Sequence, residues 1–221
     1  MTAHDQTLCI KVHRSEKGAL LCQTLTRQQG FCMIKVSSQH AKLHASLFQP
    51  LTFGVWSIAN TRFFDGVFKR SFDGLARSPA HLEEAYDCIQ CLKHFIPQNE
   101  STGIFFLVLI HALDLLASGQ DPKTIRMIFQ AKLLRFLGHM PDLAHCSVCN
   151  THPSGSVLLH TSGWQCQKHG PGPMTQAHYL NQLARISTQP IRQSCHIAIP
   201  PNIPRWVERI LYSSDSSSSS L

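Results

Sequence analysis

LCIKVHRSEKGALLCQTLTRQQGFCMIKVS, residues 8–37, decides the fold at the amino-terminal end. It is made of short runs rich in Val, Ile, Phe, Thr and Cys, and Gly18 and Gly30 interrupt it where turns are needed. Strands are predicted at 8–13, 19–26 and 30–37. Moving outward, the same character returns at 47–58 and 63–70, with Asn60 between them. Five short strands in so little chain close most economically into a small barrel or sandwich, since closure removes exposed strand edges. The pattern alone leaves an OB-type and an SH3-like barrel both open.

After Ser78-Pro79 the apolar period lengthens from two to about 3.6, which places a domain boundary at residue 78. Helices are predicted at 81–95, stopping before Pro97, and at 102–117, with Gly119 just beyond. A third is the best delimited: Asp121 suits the capping position, Pro122 the first helical residue, and Gly138 the left-handed residue past the end. Its apolar face comprises Ile125, Ile128, Phe129, Leu133, Phe136 and Leu137, with Lys123, Arg126, Lys132 and Arg135 outside it. Further helices are predicted at 175–186 and 203–212, so the helical domain covers 79–212. The Ser-rich end, 213–221, cannot bury apolar surface and is expected to be a disordered tail.

Hydrophobic residues make up 43% of the 221-residue chain and charged residues 15%, a globular composition. The net charge of +7 is uneven: residues 1–78 hold ten Lys or Arg against four Asp or Glu. Residues 79–143 hold five against seven. A basic amino-terminal domain suits an anionic partner such as nucleic acid. Nine cysteines, an odd number, do not resemble a secreted disulfide framework and favour a reducing, cytoplasmic compartment. The first eight residues include Asp5 and lack an apolar core, unlike a secretory signal. The strongest apolar run, 104–117, is too short to span a bilayer and contains His111 and Asp114, so no membrane partner is expected.

Cys146-Ser-Val-Cys149 and Cys166-Gln-Lys-His169 are two ligand pairs, each with a two-residue spacer. Such a spacer lets a tight turn aim two side chains at one ion, and two turns complete a tetrahedron. Zn2+ suits thiolate and imidazole donors, and four protein ligands leave no open position for a reacting water, so the site reads as structural. His145, His152 and His160 are alternative fourth ligands; His169 alone completes the second turn. The inserted module spans 144–170, with a hairpin between the pairs. Cys88 and Cys91 repeat the spacing inside a predicted helix, where buried packing is the simpler role.

The run from Phe129 through Gly138 and Pro141-Asp-Leu to Cys146-Ser-Val-Cys149 resembles the helix-to-zinc junction of RecO proteins. At the other end, Lys11 to Thr26, Gly30, Lys35-Val36 and Ser46-Leu-Phe-Gln-Pro50-Leu resemble that family's opening strands. The resemblance implies an α+β chain: an N-terminal five-stranded OB-type β-barrel, then an all-helical domain with an inserted zinc-ribbon-like module. It also implies a mediator of recombinational DNA repair that binds single- and double-stranded DNA and anneals complementary strands. Its partners would be RecR, the C-terminal tail of the single-strand-binding protein SSB, and RecA, which it would help to load. Family members that keep the metal usually have Cys where this chain has His169, and some relatives lack the site entirely.

On that reading the DNA-binding residues are Lys11, Arg14, Lys17, Lys35, Lys42, Lys69 and Arg70, contacting phosphates, with Phe31 as a candidate for base stacking. No nucleotide-binding loop or nucleophile motif is present, and no enzymatic turnover is expected. The alternative is a zinc-ribbon adaptor or transcription-type factor binding duplex DNA through the metal module, which holds a single Lys or Arg, Lys168, in 144–170. A metallohydrolase would need a general base near the metal, and residues 143–207 contain no carboxylate.

Overall fold

The β-rich runs close into a barrel in the computed structural model, which describes residues 3–197 and 199–213. Its strands are β1 (Ala3–Arg14), β2 (Leu20–Thr26), β3 (Gly30–Val36), β4 (Thr52–Ala59) and β5 (Arg62–Ser71), in the closed order β1-β2-β3-β5-β4. Neighbours are antiparallel except β3 and β5, which run parallel and meet at Lys35 and Arg62. This connectivity is OB-type and decides between the two barrels that the sequence left open. The core is lined by inward residues of each strand, and Phe48, Trp56 and Phe63 meet edge to face with ring centroids 5.0–5.4 Å apart. Each such pair adds about 0.5–1.5 kcal/mol beyond its buried area. Cys9, Cys22 and Cys32 are packing residues of this interior.

Two strand boundaries differ from the sequence reading. β1 starts at Ala3 because barrel closure recruits the polar His4-Asp5-Gln6 into pairing with β4. Asp5 is buried, its carboxylate accepting the Gln28 amide at 2.9 Å. The fourth strand starts at Thr52: the preceding residues form helix α1 (Ser38–Leu43), capped by Ser37, and a turn that seats Leu47 and Phe48 in the barrel. Phe31 is buried and is therefore not a stacking residue.

The chain divides into two compact units, Met1–Gly119 and Gln120–Leu221. The first holds the barrel with helices α2 (Pro79–Phe95) and α3 (Gly103–Ala117). Thr102 at the head of α3 donates its hydroxyl to Thr26 O at 2.9 Å, Phe53 of β4 meets Phe106, and Arg70 pairs with Asp114 at 2.9 Å. Two glycines allow close approach: a Cβ on Gly30 would stand 2.1 Å from Glu100 O, and one on Gly74 2.2 Å from Ala117 O. Cys88 and Cys91 are buried on α2, as packing requires.

In the second unit α4 (Pro122–Phe136) begins at Asp121, whose carboxylate accepts the Thr124 amide at 2.8 Å, and Gly138 follows with φ +75°. The metal segment comes next, with β6 (Ser156–His160) central between β7 (Gly163–Cys166) and β8 (Met174–Gln176). Helices α5 (Ala177–Thr188), α6 (Ile191–Ser194) and α7 (Asn202–Ser213) complete it. Thr175 and Gln176, read as helical, instead pair with β6. Lys132, read as outside the apolar face of α4, is buried: its ammonium donates to Ile186 O at 2.9 Å and to Gln189 O, closing the carboxyl end of α5. Residues 214–221 of the expected tail lie outside the described residues, and Ser213 ends α7. Among the described residues no helix is long and apolar enough to cross a membrane.

Candidate metal centre and nucleic-acid interface

The first ligand pair sits on a turn closed by two backbone bonds, Cys146 N to Thr151 O at 2.8 Å and Asn150 N to Cys146 O at 3.0 Å. Asn150 takes the left-handed conformation that tightens it (φ +59°). The second pair begins at the end of β7, where Cys166 leads into a single turn carrying His169. Pairing of Val157 with Cys166 aligns that end, and the Ser147 amide donates to Trp164 O at 3.0 Å to hold the two turns together. The ligand atoms of Cys146, Cys149, Cys166 and His169 all lie within 4.8 Å of one another, a group able to hold a metal ion. Cys149 Sγ is 3.5 Å from Cys166 Sγ, and His169 Nδ1 is 3.5 Å from Cys146 Sγ. His145 faces Asp142 at 2.8 Å and stacks near His152, so neither joins the group.

Burial opposes ionisation of the Cys146 thiol, but the amides of Cys149, Val148 and Cys166 point at its sulfur and lower its pKa to about 5. A thiolate forms there readily, and thiolate is the ligating species. On Cys166 the Thr151 hydroxyl lowers the pKa, while Cys149, partial burial and Cys146 together raise it. Thr151 Oγ1 stands 3.1 Å from both Cys149 Sγ and Cys166 Sγ. It bridges two ligands, a role that no spacing rule in the sequence announces.

The seven basic residues do not form one cluster. Lys35 and Arg14 belong to the outer surface at one end of β1, β2 and β3, where register places His13, Leu21, Lys35 and Arg62 side by side across four neighbouring strands; Lys11 is exposed two residues before His13 on β1. At the usual strand spacing that row is about 14 Å long. Lys17 is exposed in the β1–β2 turn and Lys42 on α1. Lys69 is exposed on β5 but seven residues beyond Arg62, roughly 20 Å along the strand. The Arg70 guanidinium is held by Asp114 and lies over Phe53 and Phe72. Arg62, passed over in the sequence, completes the row instead. A cleft of about 740 Å³ opens there, with Leu20, Leu21, Phe63 and Phe64 among its apolar walls and Arg14, Lys35 and Arg62 among its charges.

A family model described as the C terminal of recombination protein O matches residues 89–213, more than half of the chain. Among curated proteins the chain is similar to the DNA repair protein RecO of Lactobacillus acidophilus, 26% identical over 156 residues, which is 65% of this chain and 60% of the relative. It is 32% identical over 105 residues to the DNA repair protein RecO of Desulforamulus reducens, covering 46% of this chain and 41% of that one. The protein of that name from Lactobacillus helveticus is 24% identical over 153 residues, 65% and 60% of the two chains. The matched stretches thus span 60% or less of these relatives' own lengths.

Proposed function

The chain belongs to the RecO family, and from that membership we propose that it is a mediator of recombinational DNA repair that binds and anneals single-stranded DNA. With RecR it would help to load RecA on SSB-coated strands, acting at the nucleoid in the cytoplasm. The observation that carries the DNA part is the cationic face of the barrel, where Lys35 and Arg62 meet across β3 and β5, Arg14 joins them in the cleft wall and Lys11 is exposed nearby on β1, in the portion of the chain with the greatest positive excess. Phosphates meeting such a surface release counterions whatever the base sequence, and screening two strands brings them together without bond chemistry. The protein works in this reading by binding and not by turnover. Duplex DNA would use the same phosphate contacts. In the helical unit, a groove of about 590 Å³ at the ends of α4 and α5, with Arg135 and the exposed Phe136 in its wall, is the place we assign to the acidic tail of SSB.

We assign Zn2+ to the Cys3His group. In a tetrahedron with zinc–sulfur and zinc–nitrogen bonds of about 2.3 and 2.0 Å, sulfur and nitrogen stand roughly 3.5 Å apart and two sulfurs roughly 3.8 Å; the Cys146–His169 separation is 3.5 Å, and the Cys149–Cys166 separation of 3.5 Å would open slightly around the ion. Zinc would cross-link the two turns and supply no reaction. The metal module holds one Lys or Arg in 144–170, which favours the barrel over the ribbon as the DNA surface.

The test is a titration of labelled single-stranded oligonucleotide over about 50–200 mM salt, with wild type and a Lys11, Arg14, Lys35, Lys42 charge-removal variant. Affinity should fall, and the log–log salt slope should flatten by about 0.7 for each phosphate that the variant no longer neutralises. Equal affinity and equal slope would remove DNA binding from this face.

A further inference from the structure

Phe64 holds an unusual place on the barrel. Along β4 and β5 the register steps from Ile58↔Phe63 to Ser57↔Asp65, so Phe64 is the extra residue of a β-bulge. A bulge breaks the strict alternation of side chains and re-aims one of them. Phe63 remains in the core at 3% exposure, while its neighbour Phe64 turns outward at 47%. It lines the cleft that Arg62 and Lys35 border, whose wall also contains Leu21, itself 36% exposed. There it shares the lining with the apolar Leu20 and Leu21 and with the charges of Arg14, Lys35 and Arg62.

We propose that this cleft captures an unstacked base of single-stranded DNA, with Phe64 supplying the stacking face and Lys35, Arg62 and Arg14 holding the flanking phosphates. The inference rests on the single-strand binding proposed above and adds a base-dependent contact to it. Three features select this occupant. The cleft, about 740 Å³, falls in the range of pockets that enclose small organic groups, about 300–1,000 Å³. Apolar walls with a cationic border match a nucleotide, which is apolar on its base faces and anionic on its backbone. A duplex would have to unpair and unstack to present a base face, at a cost of a few kcal/mol, whereas a single strand has the face free. Phe64 lies within β5, between the paired residues Phe63 and Asp65, and not on a loop, so little ordering is needed on binding.

The experiment compares an oligo-dT with an oligonucleotide of equal length and charge in which abasic tetrahydrofuran units replace the nucleotides. Anisotropy titrations would use wild type, Phe64→Ala and Phe64→Tyr. Wild type should bind oligo-dT at least about fivefold more tightly than the abasic strand, the low end for one stacked base. Phe64→Ala should remove most of that preference without altering the salt slope, and Phe64→Tyr should restore it. A direct readout comes from Phe64→Trp, because Trp56, Trp164 and Trp206 are all buried. Its emission should be quenched by oligo-dT and not by the abasic strand. Equal affinity of wild type for both strands, or a weakening in Phe64→Ala that is the same for both, overturns base capture and leaves phosphate binding standing. Failure of wild type to bind either strand overturns the single-strand reading as well.

Discussion

Thr151 and Lys132 show how single side chains secure the second unit. A hydroxyl has one proton to donate, so Thr151 relieves charge on Cys149 or Cys166 at any moment, and its reach to both also fixes their orientation. Thr151→Val keeps the shape and removes the donor. Metal affinity should fall by about 10–100-fold, the usual effect of losing such an outer partner, as read by competition with a chelator. Equal affinity would take Thr151 out of the metal centre. Lys132→Met leaves Ile186 O and Gln189 O without their buried donor, which should cost about 1–3 kcal/mol in chemical denaturation. Burial first, then the charge of Arg135, lowers the Lys132 pKa from 10.5 to about 8. As pH rises between those values the unfolded chain still binds a proton that the folded chain has released, so the contribution of Lys132 to stability grows with pH. The wild-type advantage over Lys132→Met should therefore be larger at pH 10 than at pH 7.5; an advantage that shrinks contradicts the assignment.

At the scale of elements, the metal segment is a small three-stranded sheet that buries Val157, Leu158, Leu159 and Trp164, with its two ligand turns at one end and Trp206 of α7 donating to His160 O at 2.6 Å. The Cys146→Ser, Cys166→Ser double variant should lose its metal equivalent, and hydrogen exchange should quicken across β6 and β7 while α4 stays protected. One equivalent of zinc retained by the variant would move the site elsewhere. These elements also show what sequence discloses. The ligand pairs are readable because a two-residue spacer is local geometry, and α4 is readable because Asp121, Pro122 and Gly138 act on neighbouring backbone. The row containing Arg62 is not, since it depends on the parallel meeting of β3 and β5, strands separated by α1 and β4. The bulge at Phe64 is likewise a property of register between strands, and a run such as Arg62-Phe-Phe-Asp65 does not declare which phenylalanine faces inward. Lys132 escapes a reading by pattern because periodicity assigns a charged residue to solvent and cannot foresee a helix end in need of donors.

For the whole molecule, cationic row and metal group lie in different compact units, the barrel in Met1–Gly119 and the Cys3His group in Gln120–Leu221. Each unit has its own buried core, Trp56 and Phe63 in one and Ile128, Leu180 and Val207 in the other. If DNA is held by the barrel and the metal serves only to cross-link its module, the two properties should separate. Chelation at neutral pH should strip the metal and loosen the module, yet leave the affinity for single-stranded oligonucleotide within about twofold, which corresponds to roughly 0.4 kcal/mol. The salt slope should also be unchanged, because the phosphate contacts that set it belong to the barrel. The measurement is a pair of salt-series titrations on one preparation, before and after metal removal, with zinc quantified in each. A tenfold loss of affinity on chelation, recovered when zinc is returned, would relocate the DNA surface to the metal module and favour the ribbon-type reading. Parallel curves place the binding surface on the first unit and confine the metal to holding the second together.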